Sequence, residues 1–323
     1  MSKNSTSVTG IHHITAIAGD PQENLDFYIS VLGLRLVKKS INQDAPDTYH
    51  FFFADGEGNP GTDLTFFPWP GMAPRRPGAG VWGEIGFIIP PGSMDWWEDH
   101  LKQKGITLAP REVRFGEPVL PFFDPHGMYL SLTEATLYRE FTFTPWAHSP
   151  VPEQVQIQAL GSATLTLRNE EATKTFLAGA LGFRFDREED GRRRYVVGEG
   201  AGGQRLDLLL DPKAPTGTWG VGAVHHVAFR VPDGRTQEVI DQQIRENHGR
   251  SSGVIDRFWF QSVYVREPSG ALCEVATDGP GFGVDEDMAH LGETLVLPPW
   301  YEPQREAIEA NLAPIKLPVQ GGR

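Results

Sequence analysis

The chain predicts an α+β fold of four βαβββ modules, and three recurrences in its 323 residues point to that. A His-His pair opens an apolar alternating stretch twice, in Ile11-His12-His13-Ile14 and in Val224-His225-His226-Val227. Each second histidine is followed seven positions later by an aspartate, Asp20 and Asp233. The helix end Phe27–Leu36 is echoed by Phe176–Phe185, both carrying Leu-Gly at the same place. The turn Asp124-Pro125-His126-Gly127 is echoed by Glu267-Pro268-Ser269-Gly270. Leu-Gly is an ordinary helix stop and Asp-Pro-x-Gly an ordinary turn, but their recurrence in register reads as internal duplication. Modules one and three match at the helix end and two and four at the turn, so the chain reads as a doubled pair.

In the first module Ile11–Ala18 alternates as a strand, and Asp20-Pro21-Gln22-Glu23 starts a helix. Aspartate at the N-cap, proline in the first turn and glutamate three positions on satisfy the free amide groups of a helix start. Leu25, Tyr28, Ile29 and Leu32 share one helical face. Leu36–Asn42, Tyr49–Ala54 and Asp63–Trp69 supply three further strands between Asp, Gly and Pro turns. The second module runs from about Gly83 to Thr133 with a helix over Met94–Lys104, the third from about Ser162 to Leu210, and the fourth from about Ala223 to Thr277. The expected division is 1–141 and 161–277, two modules each, with a linker at 142–160. Thr142–Pro152 within it holds three prolines and little apolar periodicity. The tail 278–323 opens on Gly279, Gly281 and Gly283, and serves either as a lid or as a packed wrapping segment.

Forty-two acidic against 29 basic residues leave a net charge of -13, which argues against nucleic acid and anionic membranes as partners. No stretch approaches the roughly 20 apolar residues that span a bilayer, and the polar start MSKNSTSVTG lacks the apolar core of a signal peptide. The single cysteine, Cys273, rules out an intramolecular disulfide and fits a reducing, cytoplasmic setting. A homo-oligomer is expected.

Imidazoles placed alike in two repeats can meet across a pseudo-symmetric cavity, where they become candidate ligands for one metal ion. Alternation turns one histidine of each pair inward and the other away; the shared offset to Asp20 and Asp233 selects the second. Glu274, four residues after Gly270 on the last strand, can face the same cavity.

GIHHITAI…NLDFYISVLGLRL and VHHVAFRVPD…VYVREPSGALCEVATD resemble the vicinal-oxygen-chelate superfamily, which includes glyoxalases, bleomycin-resistance proteins and extradiol dioxygenases. More narrowly they resemble its ring-cleaving dioxygenases of the hydroquinone and chlorohydroquinone type, over nearly the whole chain. The resemblance implies two cup-shaped half-barrels and an Fe(II), with Mn(II) or Zn(II) as substitutes, held by His13, His226 and Glu274. Two imidazoles and one carboxylate leave about three octahedral positions open, as oxygen chemistry requires. Ligands from modules one and four require those two modules to pair around the metal, leaving two and three as a structural companion. The resemblance further implies roles for His12, Thr15, His225, Arg257 and Tyr264. Thr15 shares the His13 face and can bond a ligand or substrate; His12 and His225 face away and orient the ligands; Arg257 and Tyr264 stabilise substrate oxygen anions.

The implied reaction is O₂-dependent opening of a small aromatic diol, para or ortho. Phe66, Phe67, Trp69 and Trp82 are candidates for an apolar pocket wall. A glyoxalase-like isomerase on the same fold would need a fourth protein ligand, and the matching position in module one, near Thr65 or Phe66, does not supply one. A non-catalytic binder of aromatic or antibiotic ligands is the remaining alternative.

Overall fold

The computed structural model describes residues 6–247 and 250–318. Module one is β1 (Ile11–Ala18), α1 (Pro21–Ser30), β2 (Arg35–Asn42), β3 (Ala45–Ala54) and β4 (Asp63–Pro68). Module two is β5 (Trp82–Ile89), α2 (Met94–Gln103), β6 (Glu112–Arg114), β7 (Glu117–Phe123) and β8 (Tyr129–Glu134). Module three is β9 (Ala159–Leu167), α3 (Glu171–Phe176), β10 (Arg184–Glu189), β11 (Arg192–Val196) and β12 (Arg205–Leu210). Module four is β13 (Val224–Val231), α4 (Gly234–Asn247), β14 (Val254–Asp256), β15 (Phe260–Arg266) and β16 (Leu272–Pro280). A short helix α5 (Arg305–Asn311) follows in the tail.

Both aspartates that follow the His-His strands are helix caps. Asp20 Oδ1 accepts from the Gln22 and Glu23 amides at 2.8 and 2.9 Å. Asp233 Oδ1 accepts from the Thr236 amide at 2.8 Å and from its hydroxyl. Each contact satisfies a helix-start amide that would otherwise lack a partner, which stabilises by about 1 kcal/mol. The third module departs from the expected helix: after α3 the chain widens into a π-helical turn over Leu177–Leu181, ending at Gly182 in the left-handed region (φ 79°).

Two eight-stranded sheets result, in the orders β14-β15-β16-β13-β1-β4-β3-β2 and β10-β11-β12-β9-β5-β8-β7-β6. The first joins modules one and four, the second modules two and three, as the α+β cup architecture requires. Their seams are the antiparallel pairs β1/β13 and β5/β9. Parallel pairs β1/β4 and β13/β16 flank the first seam, so the catalytic-face candidates of both modules sit near the molecular centre. β1 is buried on both faces along its whole length. Ile14 and Ala16 point into the main core beside Trp82, Ile85 and Leu165 of the second sheet, while His13 and Thr15 line the inside of the cup.

The tail packs against the first sheet rather than hanging free. Leu295 bridges Lys39 beside the edge strand β2, and Lys38, wholly buried, binds Asp285 at 2.7 Å together with Glu286. Phe282 and Leu291 close a small core with Val37, Phe52 and Trp259. An edge covered in this way presents no free ladder to another chain. Among the described residues no helix is long and apolar enough to cross a membrane.

Candidate metal centre

His13 on β1, His226 on β13 and Glu274 on β16 converge inside the first cup, and all three are buried. His13 Nε2 lies 3.3 Å from His226 Nε2 and 3.4 Å from Glu274 Oε2, and His226 Nε2 lies 2.9 Å from the same oxygen. Glu274 Oε1 accepts from Ser262 Oγ at 2.5 Å. Oε2, despite two close nitrogens, has no hydrogen bond of proper geometry. Three electron-rich atoms thus aim at one point, where a proton can bridge only two of them. A cation satisfies all three, and two imidazole nitrogens with one carboxylate oxygen are a donor set for a first-row divalent metal. The residues fit a metal ion.

The ionisation pattern follows from this crowding. Burial would raise the Glu274 carboxyl, but His13 and His226 hold it well below its ordinary value. Burial opposes charge on His13, yet the Glu274 carboxylate lifts it above the usual histidine range. On His226 burial outweighs the same carboxylate and lowers it.

The first histidine of each pair departs from the alternation expected of a regular strand. Along β1/β13 the register passes from Ile11↔Phe229 to His13↔Ala228, leaving His12 as an extra residue. It then passes from Thr15↔His226 to Ala16↔Val224, leaving His225 extra on the other strand. Both are β-bulges, which re-aim side chains near functional sites. In consequence His12 and His225 do not face away. His12 Nδ1 meets His13 Nδ1 at 2.9 Å, and His225 Nδ1 meets His226 Nδ1 at 2.8 Å. A histidine that offers Nε2 to a cation carries its proton on Nδ1, so each bulged neighbour accepts that proton and fixes the ring. His225 also lines the cavity, stacked on Trp219 at 4.5 Å. Burial, with His226 beside it, pushes its pKa down to about 3, so it stays neutral.

Thr15, wholly buried, bonds Thr65 Oγ1 at 2.8 Å and not a ligand. Thr65 pairs with Thr15 as Glu274 pairs with Ala228, so it is the module-one counterpart of Glu274, and a hydroxyl there leaves the donor set at three. Tyr264 sits directly opposite Glu274 across β15/β16. Its hydroxyl accepts from Arg257 Nε at 3.3 Å, and burial, with Glu274 nearby, keeps it protonated far above its usual range. Arg257 lines the cavity and grips Asp44 across the mouth.

The cavity beside the triad measures about 390 Å³, within the range of small-molecule sites. Phe67 and Trp69 line it as expected, whereas Phe66 and Trp82 belong to the core. Trp259 and Phe260 supply apolar wall that the sequence did not single out. Nor did it single out His50, whose Nε2 bonds Thr65 Oγ1 at 2.8 Å, or Asp44 at the rim. The spacing of β3 against β15 carries a signal for His50: it occupies the position of Ser262, the partner of Glu274. Cys273 is buried in the core on the opposite face from Glu274.

A family model described as "Glyoxalase/Bleomycin resistance protein/Dioxygenase superfamily" matches residues 10–132 and 159–275. A Bacillus subtilis (strain 168) protein named "Putative ring-cleaving dioxygenase MhqA" is 40% identical over 315 residues, covering 96% of this chain and 99% of its own. The chlorohydroquinone/hydroquinone 1,2-dioxygenase of Sphingobium indicum is 34% identical over 303 residues, 91% of this chain and 93% of its own. A crystal structure from Bacillus subtilis, titled a "putative dioxygenase", superposes with a TM-score of 0.89 at 39% identity, covering 97% of this chain and 99% of that one. Glyoxalase I from Zea mays shares the fold, with a TM-score of 0.61 at 16% identity over 83% of this chain and 92% of that one.

Proposed function

The chain belongs to the glyoxalase, bleomycin-resistance and dioxygenase superfamily, and from that premise we propose that it is an Fe(II)-dependent dioxygenase that opens a hydroquinone- or catechol-type aromatic diol with O₂. The single observation that carries this reading is the convergence of His13 Nε2, His226 Nε2 and Glu274 Oε2 on one point beside a largely apolar cavity. A 2-His-1-carboxylate set leaves coordination positions free for substrate and O₂ together. Relatives named as a ring-cleaving dioxygenase and as a chlorohydroquinone/hydroquinone 1,2-dioxygenase, matched over more than nine-tenths of the chain, support it.

Ferrous iron in that position supplies the one-electron chemistry that lets a spin-paired diol react with O₂. The rest falls to the chain. His12 and His225 hold the ligand rings through their Nδ1 contacts. Phe67, Trp69 and Trp259 wall the ring in and exclude water. His225, neutral and facing the cavity with Nδ1 taken by His226, offers its Nε2–H as a hydrogen-bond donor to a diol oxygen as it becomes an oxyanion. Tyr264, kept protonated, with Arg257 behind it, donates a hydrogen bond to an oxygen anion of the ring. Both atoms of O₂ end in the ring-opened acid, so no external reductant is consumed.

The test is reconstitution with Fe²⁺ under nitrogen, addition of a hydroquinone or catechol, and then oxygen. Expected is uptake of one O₂ per diol with a new absorbing product. No uptake across a panel of diols, with one iron bound per chain, would overturn the reading. Glu274→Ala is expected to lose iron retention, read by metal analysis after desalting. Retention at the unaltered level would remove Glu274 from the ligand set.

A further inference from the structure

The rim of the cavity holds a contact that spans the two modules of the sheet that carries the candidate metal site. The turn between β2 and β3 carries Asp44, whose amide donates to Asn42 Oδ1 at 2.9 Å. Asp44 Oδ2 accepts from Arg257 Nη2 at 2.9 Å, and Oδ1 from Nη1 at 3.3 Å. Gln43 Nε2 donates to the Arg257 carbonyl at 3.0 Å, and Tyr301 of the tail donates to the Gln43 carbonyl. The turn is thus anchored from both sides, with its carboxylate set against the guanidinium. Arg257 is held in turn by the next residue, Phe258, which adopts the left-handed region (φ 76°) with its amide on Asp256 Oδ1 at 2.8 Å.

The guanidinium therefore has two working edges with different occupants. Its Nη1–Nη2 edge is taken by Asp44, while Nε points to the Tyr264 hydroxyl inside the cavity. A carboxylate on an incoming ring prefers two parallel N–H donors, and that edge is already filled. An uncharged ring needs one donor for a hydroxyl and finds it on the Tyr264 side without disturbing the pair. Asp44 is three-quarters exposed and Arg257 only 16%. The aspartate can swing out into water, but doing so returns a negative charge to the rim through which a carboxylated ring must pass.

Resting on the dioxygenase reading, we propose that Asp44 is a specificity-determining residue: it occupies Arg257 as a built-in competing carboxylate, so the site selects uncharged diols over diols bearing a ring carboxylate. The same competition returns Arg257 to Asp44 once an acid has formed, which favours departure of a carboxylate product. Asp44 touches no reacting atom; it acts by setting what Arg257 is free to bind.

The test uses two ligands that differ in charge and by one methyl group, 2,5-dihydroxyphenylacetate and its methyl ester, and compares each variant with the unaltered protein on the same pair. Their dissociation constants are measured by calorimetry on the iron-loaded protein under nitrogen, where no turnover intervenes. The acid-to-ester ratio of dissociation constants is expected to fall about fivefold in Asp44→Asn, the size of an exposed bidentate pair. In Arg257→Gln the ratio rises, and adding Asp44→Asn to that background lowers it by less than in the unaltered protein, because the receptor is gone and only a screened rim charge is removed. A ratio that moves less than twofold in Asp44→Asn alone overturns the inference, as does an equal shift in both backgrounds. If the ester is bound and opened while the ratio stays put, this inference alone falls. If the unaltered protein neither binds nor opens the ester or any other diol, it falls together with the dioxygenase reading.

Discussion

Asp63 is a carboxylic acid wholly enclosed by protein, next to His13 across β1/β4, with neither oxygen hydrogen-bonded. Burial, with Asp55 adding to it and His13 opposing, pushes its pKa up to about 7. The unfolded chain loses this proton near pH 4, so between about pH 4 and 7 the folded protein holds one proton more. Stability must then fall as pH rises through that window and stay lower above it, by about 4 kcal/mol for a shift of this size. Asp63→Asn is expected to match the unaltered metal-free protein at low pH and to exceed it at pH 8, read from urea midpoints. Equal midpoints at pH 8 would show that Asp63 is ionised at no cost. At this scale the two histidine pairs were legible as a repeated motif, while Glu274 was reached through the family resemblance; the structure brings the three side chains together. The bulges at His12 and His225 were not legible, since alternation assumes one residue opposite one residue. Asp44 and His50 were passed over for another reason. Their meaning lies in partners 213 and 15 residues away, at Arg257 and Thr65.

Strand by strand, the second sheet repeats the first with different chemistry. Its seam β5/β9 bulges at Gly83 and Gly161, where the other seam bulges at His12 and His225. The residues after the bulges are Glu84 and Ser162 in place of His13 and His226, and Asp207 stands where the first sheet has Glu274. Gly161 has no room for more: a Cβ there would lie 2.6 Å from Ile88. Arginines fill the space between the acids. Arg192 reaches Glu84 at 3.4 Å and Thr164 at 2.8 Å, and Arg194 grips both oxygens of Asp207 at 2.9 and 3.0 Å. The companion cup is thus closed by ion pairs where the other collects donors. Both Arg194 and Asp207 are buried, and removing Arg194 leaves Asp207 only the more distant Arg192, 3.8 Å away, a loss at the lower end of the roughly 3–5 kcal/mol of a broken buried pair. Arg194→Met should therefore lower the unfolding free energy by about that much in urea, and Asp207→Leu added to it should restore part of the loss. An unchanged double variant would mean that the aspartate is not stranded. Sequence reasoning read this half as a structural companion. It did not find the arginines, which come from β11 and act on strands β5, β9 and β12.

The sheet that carries the candidate metal site is assembled from the two ends of the chain, residues 11–68 and 224–280, and the span between them folds into the other sheet. That arrangement was inferable from ligands placed in distant modules; strand order within each cup was not, because apolar periodicity is blind to which neighbour a buried strand takes. The two sheets are not independent. They share one core in which Ile14 and Val227 pack with Ile85 and Leu165, and Trp82 Nε1 of β5 donates to the Leu272 carbonyl of β16 at 2.9 Å. An ion bound by His13, His226 and Glu274 therefore joins β1, β13 and β16, and those strands cannot separate without opening the shared core. Binding to the folded chain alone stabilises by about 2.7 kcal/mol at a hundredfold excess over the dissociation constant. Fe²⁺ or Mn²⁺ is then expected to raise the unfolding midpoint of the whole molecule by one common increment, seen alike by far-ultraviolet circular dichroism and by tryptophan fluorescence. Glu274→Ala should show no such rise, while Arg194→Met, destabilised in the other sheet, should keep it in full. A metal-induced shift in one signal without the other would mean that the cups unfold separately, and that the shared core does not couple the site to the rest of the chain.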